Sequence, residues 1–254
     1  MFPVLHVGRV ALQTPDLLIL LGIWVGVMLI EKFAERFSIS TKQLENLTLW
    51  SLLSGLVGAR LLYFLKFPQA FLANPLDILS LRPFLLDFEG GVTVALIVAL
   101  IYGQKRKMSF WSTLDALTPG FAVFAVSLGL AHLASGNAYG IETRLPWGIE
   151  LWGAVRHPVQ IYETLAAMLI LYLVLPLKFR QETIERQKRG VLFLKFVALS
   201  AAANLLLDTF RAEGIRWFGV VRAGQVTAWL VLALSLWLIG RRQQTETENP
   251  ANLL

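Results

Sequence analysis

Seven apolar runs divide the chain, and they constrain its fold more than any other feature. They lie near residues 15–34, 46–65, 90–104, 114–135, 158–177, 190–210 and 223–240. A helix needs about 20 apolar residues to cross the hydrocarbon core of a bilayer, and a chain in lipid must satisfy its backbone hydrogen bonds internally. We therefore predict an all-α polytopic membrane protein with about seven transmembrane helices. The third run is short, so we expect it to begin earlier or to be tilted.

The composition supports this class and excludes several others. Only 16% of the residues are charged and the mean hydropathy is +0.61, whereas soluble domains carry about 25% charged residues. The formal net charge of +6 comes from short basic clusters between the apolar runs, so we expect no nucleic-acid partner. The absence of cysteine excludes disulfides and thiolate catalysis by this chain. With 3 histidines, we expect neither a metal centre nor another cofactor.

The basic residues also predict an orientation. The denser clusters fall within 32–42, 105–107, 178–189 and 241–242, and cytoplasmic connections carry an excess of lysine and arginine. We predict an outward N-terminus, a cytoplasmic C-terminus, one seven-helix domain over 1–242 and a polar tail over 243–254. The N-terminus lacks the features of a removable signal peptide, so the first span is expected to remain. The outward connections are the longer and chemically richer ones, so an active site would open toward the outer leaflet.

The connection from Gly136 to Glu163 is the richest of these. It reads GNAYGIETRLPWGIELWGAVRHPVQIYE and concentrates amide, aromatic, guanidinium and imidazole side chains between two apolar runs. A plain connection between membrane helices does not need this chemistry. We predict that it forms the polar floor or lid of a site at the membrane surface.

Two features of the second and third runs are candidate site elements. Arg60 lies inside or near the end of the second run, where an arginine at the centre of a membrane helix costs about 2.5–3.5 kcal/mol. It either faces a substrate cavity or is a structural residue that snorkels or pairs with an acid. Glu89, Gly90 and Gly91 precede the third helix, and paired glycines permit positive φ and close backbone approach. The helix N-terminus would favour an anion, and Glu89 is either a base or a helix-start carboxylate.

The fourth run contains His132 among Gly, Ala and Leu residues, after Asp115 and Pro119, which predict a helix start and a kink. A histidine of this kind is either a hydrogen-bonded core residue or a proton-transfer group, since imidazole titrates near physiological pH.

The last two runs hold further polar candidates. Asp208 and Arg211 are three residues apart, and that spacing predicts an ion pair on one helix face. Gln225 begins the last run after Gly224, which allows a tight entry. The Gln225 amide either caps that helix or binds a ligand.

Several motifs occur together and in order: GARLLYFLKFP with Arg60, EGGV, GNAYG, RLPWGIEL, RHPVQIYE, the DTFR helix and AGQV. In this order and spacing they resemble the prolipoprotein diacylglyceryl transferase family, which consists of seven-helix bacterial inner-membrane enzymes. The resemblance runs through nearly the whole chain, and RHPVQIYE after LPWG is its most specific part. The predicted outward-facing topology agrees with that family.

The resemblance implies transfer of a diacylglyceryl group from phosphatidylglycerol, or a related phospholipid, to the lipobox cysteine of a prolipoprotein at the outer face of the inner membrane. The products would be a thioether and glycerol phosphate. Such chemistry needs an activated thiolate, donors for the departing phosphate and an apolar groove for two acyl chains. The catalytic candidates are Glu89, in the base position, and His132. The substrate-binding candidates are Arg60, Gly90, Gly91, Asn137, Gly140, Arg156, His157, Gln160, Tyr162, Asp208, Arg211 and Gln225.

The chain departs from the family pattern at its reacting centre. Asp208 and Arg211 keep an acid and an arginine of the family pattern, whereas other positions are replaced. Glu89 replaces the histidine of the H-G-G motif, and the further replacements are Gly129 for an arginine, Asn137 for a glutamate, Ser200 for a tyrosine and Asn204 for an arginine. The alternatives are a catalytically inactive homologue that binds phospholipid or a lipoprotein precursor, and an unrelated reaction or transport role on the same scaffold.

Overall fold

The computed structural model describes residues 4–7, 10–37, 39–69, 86–175, 188–214, 216–217 and 221–244. Within them the chain forms seven α-helices: α1 Thr14–Phe33, α2 Thr41–Lys66, α3 Phe88–Lys105, α4 Phe110–Ser135, α5 Val159–Val174, α6 Val191–Asp208 and α7 Ala223–Gln244. Five of these helices are long and apolar enough to cross a membrane by length and composition. The predicted all-α polytopic membrane class is confirmed, and α3 begins earlier than its apolar run, as expected. The basic residues 178–187 and the tail residues 245–254 lie outside the described residues.

Short antiparallel hairpins precede three of the helices, and the sequence pattern does not predict them. They are β1 Val4–Val7 with β2 Val10–Gln13, β3 Ile149–Leu151 with β4 Ala154–Arg156, and β5 Arg216–Trp217 with β6 Val221–Arg222. The β3–β4 turn consists of Trp152 and Gly153, with φ of 55° and 77°. Positive φ at both central residues matches the twist of a tight hairpin, which leads the chain directly into α5.

The chain divides into two compact units, Phe37–Thr113 and Met1–Arg36 with Leu114–Leu254. The first unit is built on α2 and α3, which pack antiparallel. A Cβ added to Gly91 would lie 2.7 Å from the Ala59 Cβ and 2.9 Å from the Gly55 carbonyl oxygen. Of the two features that paired glycines permit, the close backbone approach is present, whereas neither Gly90 nor Gly91 has a positive φ. Gly90 and Gly91 are helical residues of α3, because the crossing requires the missing side chain and not an unusual backbone.

The start of α3 is held by Asp87. Its carboxylate accepts a hydrogen bond from the Gly90 amide at 2.9 Å and pairs with the Lys66 ammonium at the end of α2. Asp87 is thus the N-cap, and Glu89 is an exposed residue of the first turn. The Lys66 ammonium and the Gly90 amide hold the pKa of Asp87 below its usual value.

In the second unit, Asp115 links α4 to α6. The helix begins at Phe110, so the expectation that Asp115 marks its start is wrong. The buried Asp115 carboxylate instead accepts hydrogen bonds from the backbone amides of Gly190, at 2.5 Å, and Phe193, at 2.9 Å. These are free donors at the N-terminus of α6. Asp115 therefore caps a helix that lies 75 residues further along the chain.

The two ends of this unit are distinct. At the end that holds Asp115, the guanidinium of Arg242 in α7 donates to the Arg189 carbonyl at 2.6 Å. At the opposite end, the connection after α4 meets the connection after α6, where the Ile141 amide donates to the Phe210 carbonyl at 2.8 Å. Residues 136–158 and 209–214 are thus on one side of this unit, as the topology prediction requires. The orientation of that side in a membrane and the single-domain boundary stay predictions.

Candidate functional site

The richest connection in the sequence folds into a hydrogen-bonded structure, which we call the polar cap and define as residues 136–158 together with 209–214. Its centre is the segment around Ile141. One edge of this segment bonds to the end of α6, through the Ile141 amide to Phe210 and the Ala212 amide to the Tyr139 carbonyl at 3.0 Å. The other edge receives the His157 amide on the Ile141 carbonyl, also at 3.0 Å. These bonds hold the start of α5 and the end of α6 together.

Gly140 permits this close arrangement. A Cβ at this position would lie 2.4 Å from the His157 carbonyl oxygen and 2.7 Å from the His157 Cβ. Any side chain would separate the central segment from the entry to α5. The predicted site residue Gly140 therefore lies in the polar cap, where the space next to His157 admits glycine alone.

Arg156 lies in the polar cap and stabilises it through its side-chain contacts. Its guanidinium lies 5.0 Å from the centre of the Tyr139 ring and donates to the carbonyls of Leu151, at 3.2 Å, and Gly140, at 3.4 Å. It also contacts the Glu142 carboxylate at 3.4 Å. Most of its donors are used inside the polar cap, so in this structure Arg156 holds a fold element in place.

His157 and Tyr162 form an aromatic cluster with Phe210 beside the polar cap. The His157 ring centre is 5.1 Å from that of Phe210 and 6.3 Å from that of Tyr162. The Tyr162 hydroxyl accepts a hydrogen bond from the Trp147 indole at 2.8 Å. His157 Nδ1 is buried and has no partner among the described residues.

Gln160 lies at the junction of α5 with the polar cap and is fully buried. Its amide nitrogen donates to the Asn137 carbonyl at 3.0 Å, whereas its Oε1 has no partner in the described part of the chain. The Asn137 side chain is exposed. Buried polar atoms are normally hydrogen-bonded, so the Gln160 oxygen is a candidate acceptor for a bound group.

Three ionisable side chains next to the polar cap form a network that joins three elements. Glu163 of α5 contacts His132 of α4, with 3.0 Å between Oε2 and Nδ1, and Arg211, with 3.2 Å between Oε1 and Nη2. The side chains are partly accessible, at 26% for His132, 16% for Glu163 and 25% for Arg211. Each carboxylate oxygen therefore has its own partner, and the three groups form one network.

Arg211 also borders a groove between α6 and α7. The groove has a volume of about 380 Å³, which is within the range of ligand pockets. Its wall changes character along α6 from apolar to polar: the apolar part includes Phe196, Val197 and Val231, and the polar part Asn204, Asp208 and Arg211. Such a gradient suits an amphipathic ligand.

Three buried polar atoms on this wall lack partners among the described residues: Ser200 Oγ, Asp208 Oδ2 and Arg211 Nε. The end of α6 is otherwise well satisfied, because the Arg222 guanidinium donates to the carbonyls of Asp208 and Arg211 at 2.5 and 2.8 Å. Cations at a helix C-terminus commonly satisfy its last carbonyls in this way. Three of the seven unpartnered buried side-chain atoms among the described residues thus lie on the groove wall.

The predicted ion pair between Asp208 and Arg211 is wrong. The helix ends at Asp208, so the helical spacing rule does not extend to Arg211, which pairs with Glu163 instead. Asp208 lies beside Gly224, where an added Cβ would be 3.3 Å from its Oδ1. Gly224 therefore allows the close entry into α7 that the sequence predicts, and Gln225 is a half-buried residue in the first turn of α7.

The other predicted site residues belong to the first unit. Arg60 is a buried residue of α2, 8% exposed, and Glu89, Gly90 and Gly91 start α3. The second unit brings together His132, Asn137, Gly140, Arg156, His157, Gln160, Tyr162, Asp208 and Arg211. These placements do not test the individual roles, which stay predictions.

Sequence reasoning missed Glu163 as a site residue, although it ends the richest motif. Its signal was present, because a carboxylate inside a run that the sequence predicts to be transmembrane is a functional candidate by default. Thr227 was missed as a groove residue, and a lone threonine in an apolar helix gives no such signal.

Nearly the whole chain matches one protein family. The family model for prolipoprotein diacylglyceryl transferase matches residues 3–241. A phosphatidylglycerol–prolipoprotein diacylglyceryl transferase from Rickettsia bellii strain OSU 85-389 is 28% identical over 247 residues, which cover 93% of each chain. The enzyme of that name from Solidesulfovibrio magneticus is 29% identical, covering 86% of this chain and 89% of its own. That from Nostoc sp. strain PCC 7120 is 24% identical, covering 95% and 90% respectively.

Proposed function

Because the chain belongs to the prolipoprotein diacylglyceryl transferase family, we propose that it transfers the diacylglyceryl group of phosphatidylglycerol to the lipobox cysteine of a prolipoprotein. The reaction would take place at the outer face of a bacterial inner membrane. The observation that carries this proposal is the groove between α6 and α7, which is apolar at one end and ends at Arg211.

The transfer breaks one bond and forms another at the same carbon. The cysteine sulfur forms a C–S bond to the glycerol carbon of the diacylglyceryl group, while the C–O bond to phosphate breaks. The phosphate keeps its oxygen and leaves as glycerol phosphate, and the thiol proton passes to a base. The protein must therefore hold the acyl chains, stabilise the developing phosphate charge and accept a proton.

The groove matches the first two requirements. Acyl chains would lie along Phe196, Val197 and Val231, with the phosphate toward Asn204 and Arg211. Arg211 can serve two partners, because its Nη2 contacts Glu163 whereas its Nε has no partner in the described residues. A hydrogen bond from a guanidinium to a phosphate oxygen is roughly twice as strong as one between neutral groups.

A second candidate function is lipid or precursor binding without transfer. The observation that favours it concerns Gly129, which occupies an arginine position of the family pattern. An added Cβ there would lie 2.6 Å from Thr164 Oγ1 and 3.0 Å from the Thr164 backbone nitrogen. The helix crossing of α4 and α5 thus fills the place of that arginine, and the phosphate has fewer cationic partners.

Activity in lipid vesicles separates the two candidates. Purified protein in phosphatidylglycerol vesicles is mixed with a lipobox peptide, and mass spectrometry follows the diacylglyceryl thioether. We expect product from the wild type, a loss of about 100-fold in Arg211→Ala, and wild-type rates in Arg144→Ala. Arg144 is a matched control because it is an exposed arginine of the same polar cap. No thioether from the wild type, with phosphatidylglycerol still bound in native mass spectra, would favour the binding function.

A further inference from the structure

The transfer needs a group that accepts the thiol proton, and the described residues of the groove wall offer the Asp208 carboxylate for this role. Carboxylic acids in model peptides titrate about four pH units below a thiol, whereas imidazole titrates about two units below. An imidazole is therefore the better acceptor near neutral pH. Among the described residues, the histidine joined to the groove through charged contacts is His132.

The contacts of His132 define its tautomer. A carboxylate only accepts hydrogen bonds, and Glu163 Oε2 lies 3.0 Å from His132 Nδ1. The hydrogen of a neutral imidazole must therefore be on Nδ1, which leaves the lone pair on Nε2. Nε2 has no hydrogen bond in the part of the chain that the structure describes, and the side chain is 26% exposed. The nitrogen that accepts a proton is thus not occupied by a donor from the described residues.

Glu163 is itself held in place from the opposite side. Its second oxygen, Oε1, is 3.2 Å from Arg211 Nη2, and Arg211 borders the groove. Among the described residues, the ionisable groups linked to His132 by printed contacts are Glu163, from α5, and through it Arg211, from the segment after α6. The arrangement corresponds to a carboxylate that orients a histidine and stabilises the imidazolium formed during catalysis.

We propose that His132 is the base that accepts the lipobox thiol proton, and that Glu163 is its positioning residue, held in turn by Arg211. This inference rests on the proposed transferase function. The proton moves from sulfur to Nε2 as the C–S bond forms, and glycerol phosphate departs with the electron pair of the broken C–O bond. The imidazolium then returns its proton to the phosphate product or to water. The base is thereby on α4, whereas the family pattern places it at the position of Glu89 on α3.

The test is the pH dependence of thioether formation in phosphatidylglycerol vesicles with a lipobox peptide. For the wild type we expect kcat to rise with pH along an acid limb between about pH 5 and 8. His132→Asn should lower kcat about 100-fold or more, change KM less than about threefold, and remove that limb. His6→Asn is the matched control, because it is the same substitution at a histidine of another element, strand β1. It should leave the rate and the pH profile unchanged.

Glu163 variants separate positioning from packing. Glu163→Gln should lower kcat about tenfold or more and move the acid limb to lower pH, because the imidazolium loses its neighbouring charge. Glu163→Asp should restore part of the rate and the wild-type limb. If His132→Asn does not purify as a folded protein, the Glu163→Gln profile decides. A limb at the wild-type pH would overturn the proposal, and a limb at lower pH would support it.

Failure of the inference and failure of the proposed function give different results. If the wild type and His132→Asn both form thioether and their pH profiles are the same, the proposed role of His132 is wrong and the transferase function still stands. A wild-type protein that forms no thioether at any pH overturns the transferase function, and the role of His132 with it.

Discussion

The substitution Gly129→Ala tests the contact between α4 and α5 directly. A Cβ at Gly129 would lie 2.6 Å from Thr164 Oγ1, 3.0 Å from the Thr164 nitrogen and 3.1 Å from its Cα. The last two atoms are backbone, so they move only if α5 moves. Thr164 follows Glu163, which means that the displacement would also reach the residue that joins His132 to Arg211.

The matched control is Gly240→Ala in α7, where an added Cβ meets no atom within 4 Å. Both substitutions gain about 0.5–1 kcal/mol from the higher helix propensity of alanine. Only Gly129→Ala also incurs the overpacking cost, which is about 1–3 kcal/mol in a packed interior. Because the shared gain cancels, the two variants should differ by about 1–3 kcal/mol. The Gly240 variant should be equal to or more stable than the wild type.

Denaturant unfolding in detergent micelles, followed by the fluorescence of the 8 tryptophans, measures this difference. The midpoints are compared at a common slope, since a change in slope would signal a change in compactness. Equal midpoints for the two variants would refute the close α4–α5 contact, and with it the explanation of why no arginine occupies position 129.

Two further predictions concern the helix caps. Asp115→Ala should destabilise the protein by about 2–4 kcal/mol, because it removes the cap of α6 and leaves the buried Gly190 amide and the partly buried Phe193 amide without this partner. Denaturant unfolding measures this loss, and a change within about 0.5 kcal/mol, as expected for exposed Glu45→Ala, would contradict the cap. Asp87→Asn should lower the thermal midpoint at pH 7, where the Asp87 carboxylate is ionised. Since the folded state holds the pKa of Asp87 below its usual 3.8 through Lys66 and the Gly90 amide, the stabilisation is present above that value and lost as pH falls through the folded pKa. A difference in midpoint that persists unchanged at pH 2 would rule out the charge pair.

The helices could be predicted from the sequence because each is a local pattern. An apolar run long enough for a bilayer has few alternatives to a helix, and all seven runs contain one. The boundaries were less predictable, as α4 shows: it starts at Phe110 and not near residue 114. Asp115 was interpreted as a local start signal, whereas its carboxylate belongs to a helix 75 residues away. A sequence pattern contains no information about a partner at that distance.

In the candidate site, too, local features could be predicted from the sequence and distant partners could not. The connection after α4 could be identified as a polar surface element from its composition, and the structure places there a hydrogen-bonded cap joined to α6. The pairing of Arg211 with Glu163 could not be predicted from the sequence, because the two residues are distant in sequence and the spacing of Arg211 to Asp208 suggested a local partner. Helical spacing predicts contacts only while the helix continues, and α6 ends at Asp208. The glycines of α3 illustrate the remaining ambiguity, since positive φ and close helix packing favour the same residue.

The transfer itself is tested most directly by following the two halves of the donor lipid. Phosphatidylglycerol labelled with ¹³C in its diacylglyceryl part and ²H in its headgroup glycerol is supplied in vesicles with a lipobox peptide and the wild-type protein. The proposed function predicts a peptide that carries the ¹³C label through a thioether, and an equal amount of ²H-labelled glycerol phosphate in solution. A peptide of unchanged mass, with both labels still in one lipid, would contradict it.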